Sequence, residues 1–388
     1  MKGNIRKYYF YQFFQHLGFF SPVIVLFWQS RGLSLTQIML LQSIYAIAVV
    51  ILELPTGAFA DYFGKKISLI LGSFSACLGF IIYSLCLNFW QFAAGEIIFA
   101  LGMAFISGAD SAFIHETLIS IKREKDYKKI EGKARGINQL AQTLGSLFGG
   151  FIGSFSLALT LITTAFSGFI AALFGLSFAK TKVKLPREEK TRYLEIIKDS
   201  LKIIKNNSSV LWLTLFFATF NGLVWSSYWF SQPYLQMLGV PIVYFGIIFA
   251  GINLISAIGS SLVDKFMKLT WGKPFLVMGL VSSLVMFLLG RFPSLYIFPL
   301  WSLFITFTIM SRTLVSDQVL ALVPPERAAT VLSFQNLLRR FVYAFFGPIS
   351  GIMADKLGIL AALQFNAIVL FLVLGLLRLS RRRILTPS

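Results

Sequence analysis

Charge is what this 388-residue chain has least of: 13% of its residues are Asp, Glu, Lys or Arg, against 56% hydrophobic. So little polar surface excludes a soluble fold of this length. Cysteine and histidine are almost missing, with two of each. Cys77 and Cys86 fall on one predicted helix, ~13 Å apart at helical rise, too far for a disulfide. His16 and His115 belong to no Cys/His cluster, so no metal site and no cofactor is expected. The chain has no H-E-x-x-H and no GxxxxGK[ST] loop, which speaks against a membrane metalloprotease and a nucleotide-driven pump. The start, MKGNIRKYYF, has a basic flank without a small-residue cleavage site, and is expected to be a retained helix.

What is present is apolar sequence in long runs, each about 20 residues or more and so able to cross ~30 Å of hydrocarbon. They lie near 6–30, 35–60, 67–87, 90–121, 132–154, 157–179, 208–237, 242–264, 274–290, 294–322, 328–354 and 358–379, and are called segments 1 to 12. The expected fold class is an all-α membrane protein of twelve transmembrane helices. The net charge of +19 comes from 35 basic residues against 16 acids. Twenty-nine of the basic residues sit in the termini and in alternate connecting loops. That is the positive-inside asymmetry, which predicts an integral cytoplasmic-membrane protein with both termini inside and needs no nucleic-acid partner.

The longest polar interval divides the segments six and six. The expected organisation is an N-terminal bundle over 1–179, a cytoplasmic linker over 180–207 and a C-terminal bundle over 208–388. In the linker Leu194, Ile197, Leu201 and Ile204 recur at helical spacing among lysines, as in a helix lying on an anionic leaflet or in a solvated connector. The halves repeat weakly: setting Gly149 on Gly347 also sets Asn138 on Asn336 and Gly153 on Gly351. Segment 5 carries Gly145, Gly149, Gly150 and Gly153, a smooth face that lets a second helix come close, whether for pivoting or for ordinary packing.

The stretch ELPTGAFADYFGKK, Glu53 to Lys66, ends segment 2 in a short basic turn. Its spacing Gly57-x-x-x-Asp61-x-x-Gly64-Lys65-Lys66 resembles the loop signature between helices 2 and 3 of the major facilitator superfamily, with Tyr62 where a basic residue is usual. The resemblance in segment pattern covers nearly the whole chain. It implies the major facilitator fold, two pseudo-symmetric six-helix bundles that rock around a midplane site. The glycine run of segment 5 looks like the motif of that family's antiporters. The resemblance also implies a gate in which Asp61 faces the start of segment 11 near Arg327 and Ala328, while Glu116 meets Lys65 and Lys66.

A charge at the bilayer centre costs about 2.5 kcal/mol or more, so each intramembrane ionisable residue needs a partner, a water-filled cavity or a task. Glu53, Glu96 and Asp110 are the candidates for carrying a coupled proton. In an unbroken helix Glu96 and Asp110, nearly four turns apart, share one face. A structural role for each acid stands equally beside that reading. Arg312 and Arg339 either grip an anionic or zwitterionic substrate or neutralise the acids of the first half. Gln15, His16, Asn138, Asn221, Trp225, Trp229 and Asn336 complete the expected cavity wall, with Gln12 and Tyr228 beside them.

The function these readings point to is secondary transport by alternating access, with a small-molecule substrate, protons and the lipid bilayer as partners. Proton-coupled efflux of a neutral or cationic amphipathic compound, of multidrug type, comes first. Transport of an anionic or zwitterionic metabolite or lipid head group through Arg312 and Arg339 is the alternative. No enzymatic activity is expected.

Overall fold

A computed structural model describes residues 3–180, 201–270 and 273–385. The described residues are helical apart from short turns and 3-10 stretches, and contain no strand. This is an all-α membrane fold. The anticipated amphipathic helix of the linker lies mostly outside the described residues; within them, residues 201–206 are helical and Ile204 is buried.

Nine helices among the described residues are long and apolar enough to span a membrane, and they correspond to segments 2, 3, 4, 6, 7, 8, 9, 10 and 12. Segments 1, 5 and 11 are helical too, but too broken or too polar to meet that criterion.

Segment 1 is not the continuous helix its hydropathy suggests. It forms α1 (Gly3–His16) and α2 (Ile24–Ser30), separated by irregular backbone around Gly18 and Pro22. Glycine loosens a helix and proline lacks an N–H, so amides are freed here in a region where water is scarce. The hydroxyl of Thr164, on α8 (Leu157–Leu176), accepts the N–H groups of Phe19 and Phe20 at 3.0 and 3.3 Å. Ser167 of the same helix donates to the Phe14 carbonyl at 2.7 Å.

Segment 2 is α3 (Leu35–Phe63), unbroken through Pro55, and it ends at Gly64, whose φ of 98° supplies the expected tight turn into α4 (Lys65–Leu85). Segment 4 is broken as well, into α5 (Phe89–Ile106) and α6 (Ala109–Ser120), with Gly108 left-handed at φ 73° between them. Segment 5 is α7 (Tyr127–Phe155).

The later helices are α9 (Ser208–Tyr228), α10 (Ser231–Met237), α11 (Phe245–Ser261), α12 (Val263–Leu269), α13 (Pro274–Arg291), α14 (Ser302–Leu322), α15 (Pro325–Leu357) and α16 (Ile359–Leu385). The chain forms two compact units: Met1–Leu33, Ile44–Lys190 and Val240–Ala250 in one, Ser34–Ser43, Thr191–Gly239 and Gly251–Ser388 in the other. Helix α3 therefore begins in unit 2 and continues in unit 1, and α11 begins in unit 1 and continues in unit 2.

The glycines of α7 have two tasks in unit 1. A Cβ at Gly145 would lie 2.8 Å from the Gly18 carbonyl oxygen, and one at Gly149 would strike the Phe19 carbonyl, so this face fits against the break in segment 1. A Cβ at Gly150 would lie 2.8 Å from the Gly246 Cα at the start of α11, and one at Gly153 would lie 3.6 Å from Ile242. Close approach of backbone to backbone is what these positions require.

Candidate functional site

The break in segment 4 sets the chemistry of unit 1. Because α6 starts afresh after Gly108, Asp110 lies in its first turn, where unsatisfied N–H groups favour an anion. Asp110 Oδ1 accepts the Ser111 N–H at 2.7 Å, and Oδ2 accepts from Gln12 Nε2 at 3.3 Å. Gln12 Nε2 also donates to the Tyr8 hydroxyl at 2.7 Å, which donates in turn to Glu131 Oε2 at 3.4 Å. The Ser111 hydroxyl lies 3.4 Å from Asp110 Oδ1 and 3.5 Å from Glu131 Oε1. It has a single proton and so serves one carboxylate at a time. Arg135 Nε stands 3.5 Å from Glu131 Oε1 on an exposed side chain. Tyr8 and Gln12 are buried, at 0% and 2% exposure, so two carboxylates on different helices share a largely dry hydrogen-bonded network.

Glu96 is not part of this network. The shared face expected for Glu96 and Asp110 assumed one continuous helix, and the left-handed Gly108 breaks that phase. Glu96 is buried at 2% exposure beside Tyr83 of α4, whereas Asp110 turns toward α1. Glu53 is half-buried on α3, close to Pro55.

The basic turn is organised differently from the expected gate. Lys65 Nζ binds Asp61 Oδ1 at 2.5 Å, and Lys66 Nζ donates to the carbonyls of Leu176 and Phe178 at 2.8 and 2.6 Å. Both lysines thus serve the turn and the end of α8, and Glu116 is buried on α6. The cause is reach: Asp61 is one helical turn before Lys65, across the Gly64 bend. Gly57 is exposed, with open space where a Cβ would be.

Gln15 accepts from the Ser73 hydroxyl at 2.7 Å, and His16 Nδ1 lies 3.0 Å from the Gln12 carbonyl of its own helix. Asn138 keeps a buried side-chain oxygen with no hydrogen-bond donor, on the same stripe of α7 as Glu131 and Ala134.

Unit 2 contains several neutral polar pairs. Asn221 is buried and bonded to the Phe217 carbonyl and to Ser311 at 2.8 and 3.2 Å, so it ties α9 to α14 within the core and does not line a cavity as expected. Gln335 donates to Thr214 at 3.0 Å, and Asn366 donates to Ser227 at 2.9 Å. Trp225 stacks on Tyr228 with ring centres 5.0 Å apart, and Tyr228 meets Trp229 edge-on at 6.3 Å. Asn336 donates to the Leu332 carbonyl at 3.0 Å. Arg312 is exposed midway along α14, and Arg339 is half-buried on α15.

Two acids escaped the sequence reading. By hydropathy Glu131 falls in the loop before segment 5, yet α7 starts at Tyr127 and carries it in phase with Ala134, Asn138, Ala141 and Gly145, a spacing that was available in the sequence. Asp355 follows segment 11 by one residue. Its two carboxylate oxygens accept the N–H groups of Leu35 and Thr36, each at 2.9 Å. Burial acts to raise its pKa, but the bonds from Thr36, Ser34 and Leu35 outweigh that and hold it below the ordinary aspartate value.

Two repeats of apolar helices, broken segments beside buried carboxylates and glycine-lined crossings define a membrane carrier. The chain belongs to the Major Facilitator Superfamily, whose profile matches residues 9–348. It is 26% identical over 377 residues to an uncharacterized MFS-type transporter, YxaM, of Bacillus subtilis (strain 168), covering 93% of this chain and 91% of that protein. Among solved structures it is similar to a point mutant of the nucleoside transporter NupG, at TM-score 0.80 and 13% identity over 99% of both chains. It is also similar to a bacterial homolog of the human lysosomal transporter Spinster in an inward-facing, unoccupied conformation, at TM-score 0.74 and 16% identity, over 99% of this chain and 98% of that one. The protein is therefore a multi-pass membrane transporter of the major facilitator fold, and not an enzyme.

Proposed function

We propose that the chain is a proton-coupled exporter of neutral or cationic amphipathic organic compounds. In this reading it sits in the cytoplasmic membrane with both termini inside. It works by alternating access of bundles 1–179 and 208–388, joined by the linker 180–207. The observation that carries the reading is the network of Tyr8, Gln12, Asp110, Ser111 and Glu131. It offers a site for one exchangeable proton in unit 1. A cation arriving near the carboxylates competes with the proton for the same negative charge, which is the physical basis of exchange.

Arg312 supports a second reading. An exposed guanidinium halfway along a membrane helix is suited to an anionic or zwitterionic substrate, which it would hold by paired hydrogen bonds. Proton release by the purified protein in lipid, on adding cationic, neutral and anionic compounds, separates the two. The panel includes nucleosides and peptides, because solved relatives of this fold are named as transporters of them. Release on adding cationic or neutral amphipaths is expected; a response confined to anions would replace the first reading with the second.

A further inference from the structure

The first turn of α3 is capped in an unusual way. An α-helix leaves its first N–H groups without intrahelical partners. Ser34 and Gln37 satisfy part of that need reciprocally: the Ser34 N–H donates to Gln37 Oε1 at 3.0 Å and the Gln37 N–H to Ser34 Oγ at 3.3 Å. The Ile38 N–H already bonds the Ser34 carbonyl at 3.0 Å. Two donors remain, Leu35 and Thr36, and both are taken by Asp355, more than 300 residues away at the far end of α15.

Two further contacts run along the same pair of helices. A Cβ at Gly351 would lie 2.7 Å from Thr36 Cα, so the two backbones touch. The Ser43 hydroxyl donates to the Ala344 carbonyl at 3.0 Å. Ser43 is also the last residue of α3 that belongs to unit 2.

We propose that Asp355 is a latch that fastens the first turn of α3 to the end of α15, and that the latch sets how often this end of the protein opens. The end in question is opposite to the Asp61 turn, so it is separate from the gate that the family signature implies. The device is one-sided. The repeat register that sets Gly149 on Gly347 sets Asp355 on Leu157, and the pairing of α7 with the start of α11 brings Gly150 against Gly246 where α15 and α3 have a carboxylate. Opening must leave two amides and one carboxylate to water at once, which makes the release a single concerted event and not a gradual loosening.

The test uses the full-length protein in lipid nanodiscs, with Cys77 and Cys86 replaced by serine and spin labels at Leu40 and Ile352, both exposed positions. Distances between the labels are measured with no substrate and no pH step, so the result is independent of the export reading. Asp355→Ala is expected to raise the long-distance population about ten-fold, the effect of a charge and its bonds lost at a helix end. Asp355→Asn, which keeps one acceptor, should fall between. Gly351→Ala should give the same shift without changing any charge, because its methyl group meets backbone, whereas Gly375→Ala, with open space at its Cβ, should give none. Amide exchange of the Leu35 and Thr36 segment should quicken in parallel. An unchanged distance distribution and unchanged exchange in folded Asp355→Ala or Gly351→Ala would overturn the proposal.

Discussion

Replacing Gly150 by alanine puts a methyl carbon 2.8 Å from the Gly246 Cα, and nearer still to its amide nitrogen. Carbon atoms settle at about 3.5–4.0 Å, so the start of α11 must retreat by roughly an ångström or the methyl must distort α7. Neither neighbour can give by a side-chain rotation, since both contacts are backbone. Overpacking of this kind costs about 1–3 kcal/mol, whereas the roughly 1 kcal/mol that alanine gains over glycine within a helix is the same whether or not α11 touches α7, and cancels. The net is about 1–3 kcal/mol against the conformation in which α7 and α11 touch, equivalent to roughly a five- to 140-fold loss of its population at about 1.4 kcal/mol per decade. Spin labels on α7 and α11 in nanodiscs would report this as growth of a longer distance. Gly136→Ala on the same helix is the control, because nothing lies within 4 Å of its Cβ. If both variants give the wild-type distribution, the α7–α11 contact does not govern the conformational balance and the role assigned to the glycine face is wrong.

Other expectations follow from the same structure. Thr164→Val keeps the shape of the side chain but leaves the Phe19 and Phe20 amides without their acceptor, and should lower stability by about 1–3 kcal/mol in a thermal melt of the purified protein. If Asp110 and Glu131 hold one proton between them, Glu131→Gln should reduce substrate-induced proton release as strongly as Asp110→Asn; full release in both variants would remove them from the coupling. Asp355 titrates below its ordinary value, so its hold on α3 is present above that value and lost only as pH falls through the lowered one. Label distances across the latch should accordingly be the same at pH 5 and pH 8, and a change within that window would assign the latch a titrating group other than Asp355.

The transmembrane architecture was legible because a bilayer demands long apolar runs, and nothing local competes with that demand. The Gly64 turn was legible for a similar reason: a glycine between an aspartate and two lysines admits few geometries. The breaks in segments 1 and 4 were not. Hydropathy averages over a window, so the isolated pairs Gly18 with Pro22 and Ser107 with Gly108 left no trace in it. What decides whether a glycine bends a helix is whether neighbouring helices accept the freed amides, and Thr164, some 145 residues away, does this for segment 1. Missing the second break led directly to the wrong phase between Glu96 and Asp110. Asp355 was invisible for a different reason, since the helix start it caps offers it backbone N–H groups, which carry no side-chain signature.

The candidate site is nonetheless marked in the sequence, through exceptions to apolarity. Segments 1, 5 and 11 are the ones that do not meet the span criterion among the described residues. Their helices supply Tyr8, Gln12, the glycines of α7 and Gln335, and, just beyond the apolar segments, Glu131 and Asp355. Each polar side chain lowers a helix's affinity for hydrocarbon, so it is tolerated where a protein neighbour takes its hydrogen bonds. A helix rich in such groups must therefore be sheltered by others. In unit 1, α1 and α7 meet that requirement jointly, because Glu131 of α7 is bonded through Tyr8 and Gln12 of α1. The polarity that weakens these helices as independent membrane spans is what ties them together once packed.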